Sequence, residues 1–436
     1  MLPAARIQAA IDLLAEVKDS LERDGASADV LIRKYFRKRR YAGSKDRRSV
    51  TERVYAVIRN WGFLYDQTGG DVRHMTLLSL MGEMDLAALE ALCDGGEHSP
   101  AALNDAEKSL LGRKAEKDLH HILNYPEWLA SRLKARFKED FDQELNALNG
   151  RAPFDLRVNV LKATLEEITA FLEENDIAYT QGQWADTALI LPDHQRIDDW
   201  DIYKNGLVEV QDEAAQLAVA LAEIKPSMQV MDLCAGSGGK SLAAAAHMDN
   251  KGQIYAFDIS HQRLKDLKPR AKKAGVHILQ AHELDTAGGK REKYLSQFQE
   301  KMDRVMLDVP CSGSGVWRRN PESKWRLSEE KLAQYCRIQK NLLREGWNFV
   351  KPGGQMIYMT CSLFEDENEQ QIRDFLDFMP DAELLSCPAR LSPEKAEKFI
   401  NRSALEGCMA LSPHSHGTDG FFVAIMEKKA ASAAET

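Results

Sequence analysis

Over about the first 145 residues, apolar side chains recur at helical spacing with no strand-like alternation. Ile7, Ile11, Leu14 and Leu21 share one face of a predicted N-terminal helix, and Asp12, Glu16 and Asp19 interrupt any apolar run of the kind a secretory signal needs. A second helix is expected to start at Ser49-Val50-Thr51-Glu52, a capping box that would bury Val50, Val54, Val57, Ile58 and Trp61 on one stripe. The pattern then shortens. Leu156–Val160 and Leu207–Val210 read as strands, with a helix from about Leu165 to Glu174 between them. From Pro226 onward apolar strands and helical patterns alternate about every 25 residues, the period of parallel βαβ units. The expected division is an all-α domain over 1–145, a small α+β connecting module over 146–225, an α/β core over 226–428 and a disordered tail over 429–436. The core should close with an antiparallel strand, Phe421 to Met426, entered through a turn at Asp419-Gly420.

Composition narrows the class. With 436 residues and 44% apolar side chains the chain can fill more than one core, and it has no uninterrupted apolar stretch approaching the roughly 20 residues of a membrane span. It reads as a soluble protein. The seven cysteines are scattered without a Cys-x-x-Cys pair, which argues against a disulfide framework or a zinc knuckle and fits a reducing cytoplasm. His414 and His416 have metal-like spacing but no third ligand nearby, so no metal is expected. The net charge of -9 gives no general attraction to nucleic acid. Residues 33–48, RKYFRKRRYAGSKDRR, run against that balance, with Arg37, Lys38, Arg39 and Arg40 at their centre and Asp46 as the lone acid. Such a patch is either a solvated basic face or a phosphate-binding surface.

The candidate cofactor site starts at the strand Val230-Met231-Asp232-Leu233, which runs into Cys234-Ala235-Gly236-Ser237-Gly238-Gly239-Lys240-Ser241. Glycines there allow a tight turn whose amides approach a ligand at a helix N-terminus. A P-loop would need glycine where Cys234 stands, and G-x-G-x-x-G fails at Ser241. A second strand ends at Asp258, twenty residues beyond Gly238, where an acid accepts ribose hydroxyls; that fits nicotinamide cofactors and S-adenosylmethionine alike, while the plain alternative is a helix N-cap. Asp285 follows the next predicted strand and could recognise an adenine amino group, although Glu283 competes for the role. Asp308 ends the strand Val305-Met306-Leu307 and directly precedes Val309-Pro310-Cys311.

Cys311, in Asp308-Val309-Pro310-Cys311-Ser312-Gly313, and Cys361, in Thr360-Cys361-Ser362, both stand at predicted strand ends. A single cysteine is ordinarily a buried apolar thiol. Two at strand ends beside a cofactor turn suit covalent attack on a ring. Carbon 5 of a pyrimidine is a poor nucleophile, and a thiolate adding at carbon 6 activates it, so the minimum set is a nucleophile, a base and an acid on the ring. Cys361, Cys311 and Asp308 could supply that set, but the residues alone do not order the two cysteines.

Together, DVPCSGSG, TCS followed by Glu367-Asn368-Glu369, CAGSGGKS and the late segment His416-Gly417-Thr418-Asp419-Gly420-Phe421-Phe422 resemble the Nop/Sun (RsmB-like) family of RNA cytosine-5 methyltransferases. The likeness covers about residues 150–428, with the motifs in the family's order. It implies a Rossmann-like core that uses S-adenosylmethionine, held by Cys234 to Lys240 and by Asp258, Asp285 and Asp308. It also implies that Cys361 is the nucleophile and that Cys311 helps eliminate the product. One departure stands out: the family's usual Cys-Ala-Ala-Pro-Gly-Gly-Lys is Cys-Ala-Gly-Ser-Gly-Gly-Lys here, and losing the proline loosens the turn. The N-terminal domain is similar to the NusB-like RNA-binding domain of bacterial ribosomal-RNA members, on Asp46-Arg47-Arg48 followed by Tyr55-Ala56-Val57-Ile58-Arg59.

That resemblance would put the basic patch on an RNA-docking surface, with ribosomal RNA the expected substrate. Further contacts are expected from Trp317-Arg318-Arg319 and Lys324-Trp325-Arg326, where tryptophans would stack a displaced base, or else simply pack the loop. A non-catalytic RNA-binding or assembly factor with the same fold is the rival reading, and it leaves two cysteines and every strand-end acid unexplained. A nicotinamide-dependent oxidoreductase gives the cysteine pair no role.

Overall fold

The structure is a computed structural model that describes residues 1–113, 116–192, 195–284 and 289–430. The chain divides into two compact units: Met1–Gly150 with Val316–Ser328, and Arg151–Gly315 with Glu329–Thr436.

The larger unit holds two sheets. Strands β1 (Phe154–Val158), β2 (Thr180–Gln181), β3 (Ala188–Leu191) and β4 (Val208–Val210) form an antiparallel sheet in the order β2-β3-β1-β4. The helix Leu165–Glu174 starts with a Thr164/Glu167 capping box and buries Ile168 and Leu172 against Leu156, Val158 and Leu189. The sequence pattern locates β1, β4 and this helix but misses β2 and β3; β2 is two residues long and β3, Ala-Leu-Ile-Leu, does not alternate.

The second sheet contains β5 (Gln229–Asp232), β6 (Gln253–Asp258), β7 (Leu279–Glu283), β8 (Met302–Asp308), β9 (Val350–Thr360), β10 (Ala382–Leu385), β11 (Met409–Leu411) and β12 (Phe421–Lys428). Its order is β10-β12-β9-β8-β5-β6-β7, with β11 also paired to β12. Strands β5 to β9 pair in parallel, whereas β12 runs antiparallel to β9, as expected for Phe421 to Met426. Successive residues enter opposite cores: Ile357 and Met359 face one, Met356 and Tyr358 the other. Both faces are therefore buried, which is why these strands read as unbroken apolar runs. From β5 the chain winds outward through β6 and β7, then returns to β8 on the other side of β5. The carboxyl ends of β5 and β8 thus flank a topological switch point, where open α/β sheets bind ligands.

The smaller unit is helical apart from its connections. Its first helix, Pro3–Glu22, buries Ile7, Ala10, Leu13, Leu14 and Val17. The second helix of the sequence reading begins five residues early, at Ser44, so Ser49 and Glu52 lie within it rather than at its cap. Asp46 explains the shift: its carboxylate accepts from the Gly43 amide at 3.3 Å and from Arg6 Nε at 2.9 Å, so the lone acid of the basic stretch is a structural cap. Val50, Val54, Val57 and Ile58 form the expected buried stripe, but the helix ends at Ile58 and Trp61, also buried, opens the next helix, Trp61–Thr68.

Residues 316–328 follow the second of the two alternatives for their tryptophans. They follow the Cys311 loop in sequence but pack within the helical unit, where Trp317 is 1% exposed and Trp325 lies over Gly62 against the helical core. Both tryptophans pack the protein and are not free platforms for a base. Arg326 donates to the carbonyls of Gly25 and Ala26, and Glu322 accepts from the Ala28 amide. Lys324 is 1% exposed, with Nζ 2.9 Å from the Asn124 carbonyl and 2.8 Å from Asn149 Oδ1.

Burial, with Arg59 nearby, pulls the Lys324 pKa down to about 7. In the unfolded chain a lysine titrates near about 10.4, so between those values unfolding takes up a proton and folding stability rises with pH. From about pH 7 to about pH 9.5 the protein should therefore gain stability relative to Lys324→Met, read as the gap between their urea midpoints. An unchanging gap would mean that Lys324 does not titrate there.

Candidate active site

Register brings the two cysteines together. In the parallel β8/β9 pair Asp308 lies opposite Met359, and the Val309 amide continues the ladder to the Met359 carbonyl at 3.1 Å. Cys311 and Cys361 leave neighbouring strand ends, and their sulfurs are 3.4 Å apart. Both side chains are half-buried. The hydrogen bond to Cys361 and then burial push the Cys311 pKa well up, so Cys311 keeps its proton at neutral pH.

The loops carrying the cysteines are held by one carboxylate that the sequence reading quoted only as part of a motif. Glu367 is fully buried and accepts from the Ser312 amide at 2.9 Å, from Ser312 Oγ and Ser362 Oγ at 2.5 Å each, and from Gln339 Nε2 at 3.0 Å. Burial raises its pKa, and these bonds work against that rise. Gln339 also donates to the Pro310 carbonyl, and Tyr358 Oη donates to the Glu367 carbonyl. The serine after each cysteine is therefore a handle on the same acid. A backbone bond from the Gly315 amide to the Cys361 carbonyl, 2.9 Å, closes the frame. Gly315 in turn lies so close to Gly420 that a side chain on either would collide with the other's backbone, which places the Asp419-Gly420 turn under the site.

Opposite the thiols, Lys240 Nζ lies 2.6 Å from Asp308 Oδ2 and 5.2 Å from the centre of the Phe421 ring. Burial pulls the ammonium's pKa down, but Asp308, through charge and hydrogen bond, leaves it raised and the lysine charged. Cys361 is among the groups whose charge acts on this ammonium, so a thiolate there would face a cation. At the end of β5, Asp232 accepts from Ser241 Oγ at 2.6 Å and from the Cys234 amide at 3.3 Å; burial pushes its pKa up to about 7. The sequence reading passed over Asp232, though an acid at the last position of a strand before a glycine turn was the available signal. Burial, with Asp232 and other acids close by, also drives the Cys234 thiol up, so it stays neutral.

The cofactor turn has the backbone its glycines suggested. Gly236 and Gly238 have φ of +54° and +87°, and a side chain at 238 would strike Leu267. Asp258 ends β6, with Oδ2 accepting from the Gly236 amide at 2.8 Å and Oδ1 from the Ser260 amide at 2.7 Å. The cap of the following helix is Ser260, so Asp258 is tied to the turn, and each of its oxygens keeps a second lone pair for a ligand hydroxyl. Glu283 bonds His261 Nδ1 at 2.8 Å, and Asp285 lies outside the described residues. These residues fit an adenosine-bearing cofactor: a glycine turn that positive φ at 236 and 238, and Leu267 under 238, keep free of side chains there, an acid bonded to it, and a lysine-aspartate pair at the switch point.

The RNA-contact candidates lie in the helical unit. Arg37, Lys38 and Arg40 are exposed, together with Tyr41 at 74%, while Arg39 stacks on Tyr35 with its guanidinium carbon 3.6 Å from the ring centre. Arg318 is 5% exposed, too buried to reach an RNA backbone, and Arg319 is half-buried. His416 uses Nδ1 to accept from the Ser412 amide and has Nε2 3.0 Å from the Ile400 carbonyl, a structural role.

A family model described as 16S rRNA methyltransferase RsmB/F matches residues 218–427, and one described as an RsmF/B-like ferredoxin-like domain matches residues 125–198. A Bacillus subtilis protein named as a probable ribosomal RNA small subunit methyltransferase B is 34% identical over 308 residues, covering 70% of this chain and 67% of that protein. The chain belongs to the RsmB/F methyltransferase family. The crystal structure of PH0851 superposes with a TM-score of 0.79 at 28% identity, covering 98% of this chain and 99% of that one. A methyltransferase homologue from Pyrococcus horikoshii gives 0.59 at 26% identity, covering 71% and 97%. The Rossmann-like core and the relation to RsmB read from the motifs are therefore borne out.

For an RsmB/F enzyme the Glu367 frame makes a specific demand. Glu367→Gln keeps the side-chain size but turns a donor toward Ser312, Ser362 and Gln339. Single-turnover methyl transfer should fall about 100-fold through misplacement of the thiols. Cofactor affinity, measured by calorimetry, should not change. A rate within twofold of the parent would remove Glu367 from the positioning role.

Proposed function

We propose that this chain methylates carbon 5 of a cytosine in ribosomal RNA, with S-adenosylmethionine as methyl donor and a transient covalent bond from Cys361 to carbon 6. The observation that carries the reading is the 3.4 Å approach of two thiols at adjacent strand ends beside the Lys240–Asp308 pair. Addition of the Cys361 sulfur to carbon 6 makes carbon 5 nucleophilic enough to take a methyl group. A base then removes the carbon 5 proton, and the carbon–sulfur bond breaks to release Cys361. Cys311, hydrogen-bonded to the departing sulfur, assists that release. Asp308 holds Lys240 beside the nucleophile and offers its carboxylate to the ring as a hydrogen-bond acceptor.

S-adenosylmethionine, when bound, supplies an electrophilic methyl group. The turn from Cys234 through Ala235, Gly236, Ser237, Gly238 and Gly239 to Lys240 would hold it, with Asp258 on the ribose hydroxyls and Asp285 on the adenine. Relatives named as ribosomal RNA small subunit methyltransferases support ribosomal RNA as the substrate and the cytoplasm as the place of action. Among the described residues no helix is long and apolar enough to cross a membrane. The exposed Arg37, Lys38, Arg40 and Tyr41, with Arg39 and Arg319 beside them in the reading, would dock the RNA backbone.

Cys361→Ala is expected to abolish methyl transfer, and normal activity in that variant would assign the nucleophile elsewhere. Cys311→Ala is expected to accumulate protein covalently joined to RNA, seen as a slow band on a denaturing gel; its absence would deny Cys311 the releasing role. Replacing Arg37, Lys38 and Arg40 with Gln should weaken RNA binding and reduce the slope of log affinity against log salt by about 2. Binding with an unchanged slope would return the patch to an ordinary solvated face.

A further inference from the structure

The turn Cys234–Lys240 poses a problem of rigidity. Two of its residues, Gly236 and Gly238, sit at positive φ, and glycine loses more backbone freedom on ordering than any other residue. Between them stands Ser237, where the family's usual motif has proline and so a fixed φ. Something else must hold this turn in the shape that binds. Two arginines reach it. Arg270 NH1 donates to the Ser237 carbonyl at 2.7 Å and lies 2.9 Å from Ser237 Oγ, and Arg270 NH2 is held by Glu209 Oε2 at 2.7 Å. Arg157 NH1 donates to the Gly239 carbonyl at 2.7 Å and to Gln211 Oε1.

The origins of these groups matter. Glu209 is on β4 and Arg157 on β1, where the two residues are direct partners across the small antiparallel sheet. Both are nearly inaccessible, at 2% and 4% exposure. Arg270 projects from the helix His261–Ala274, one turn beyond Leu267, the residue packed under Gly238. A buried carboxylate facing a forked guanidinium fixes direction as well as distance. We infer that the small antiparallel sheet is a structural half of the cofactor site, holding the glycine turn in its binding shape through Arg157 on Gly239 and through Glu209 and Arg270 on Ser237.

This inference rests on the reading of the turn as an S-adenosylmethionine site, and the test separates the two. The full chain is titrated with S-adenosylmethionine by calorimetry, alongside Arg270→Met, Glu209→Gln, Ser237→Pro and the double variants Ser237→Pro/Arg270→Met and Ser237→Pro/Glu209→Gln. Arg270→Met should raise the Kd about tenfold, the size expected on losing charge-assisted hydrogen bonds. Glu209→Gln should shift it in the same direction. In the Ser237→Pro background, where the ring fixes φ, Arg270→Met should cost less than about threefold, a coupling that a merely structural arginine would not show. Equal losses in both backgrounds, or an unchanged Kd for Arg270→Met, would overturn the clamp. If Arg270→Met does not fold, the Glu209→Gln comparison in the two backgrounds decides by the same criterion. No binding by the parent chain would instead overturn the cofactor reading on which the clamp depends.

Discussion

The buried carboxylate of Glu367 is the constraint on which the site's geometry rests. A carboxylate removed from water costs several kcal/mol unless its lone pairs are taken up, and here Ser312 gives two donors, Ser362 one and Gln339 one. Those donors come from the loop after β8, the loop after β9 and the helix Glu329–Trp347. Three segments far apart in sequence must converge to satisfy one side chain. Because Cys311 and Cys361 each directly precede one of the donor serines, satisfying Glu367 fixes the separation of the sulfurs. The spacing of the two thiols is thus a by-product of supplying partners to one buried carboxyl group.

That frame works only because the sheet delivers the loops to the same place. Parallel pairing of β8 and β9 puts their carboxyl ends at one edge, and the reversal of strand order at β5 opens a crevice next to them. Lys240, arriving on the turn after β5, meets Asp308 at the end of β8 across that crevice. The glycine turn and the end of β8, which leads into Cys311, are therefore linked by an ion pair between Lys240 and Asp308.

Much of this was legible in the chain because strands buried on both faces leave unbroken apolar runs, and their ends mark ligand positions. Asp258, Asp308, Cys311 and Cys361 were found that way, as was the closing antiparallel strand. Other features were not legible, for physical reasons. The capping box at Ser49–Glu52 is locally sound, but Asp46 finds Arg6 forty residues away, and a tertiary ion pair outweighs a local cap. Trp317 and Trp325 amid arginines have the composition of a base-stacking loop, yet composition cannot tell stacking on RNA from packing on helices. Only the fold assigns residues 316–328 to the helical unit. Glu367 was visible as part of a motif, but a hydrogen-bond junction between loops has no sequence period by which to recognise it.

The two sulfurs are chemically unequal in this frame, and the inequality bears on the proposed mechanism. Cys311 is held in the thiol form by its bond to Cys361 and by burial, so it is a poor attacker and a good S–H donor. Cys361 is among the groups that act by charge on the Lys240 ammonium, so negative charge developing on its sulfur would face a cation. A donor thiol beside an attacking sulfur stabilises that sulfur twice, before it bonds to carbon and again as it leaves. The same contact that would slow attack by lowering the sulfur's basicity would speed its departure. In the proposed covalent route, a thiol that donates to the attacking sulfur would oppose addition and favour departure, so Cys311 would serve release of the product more than formation of the adduct.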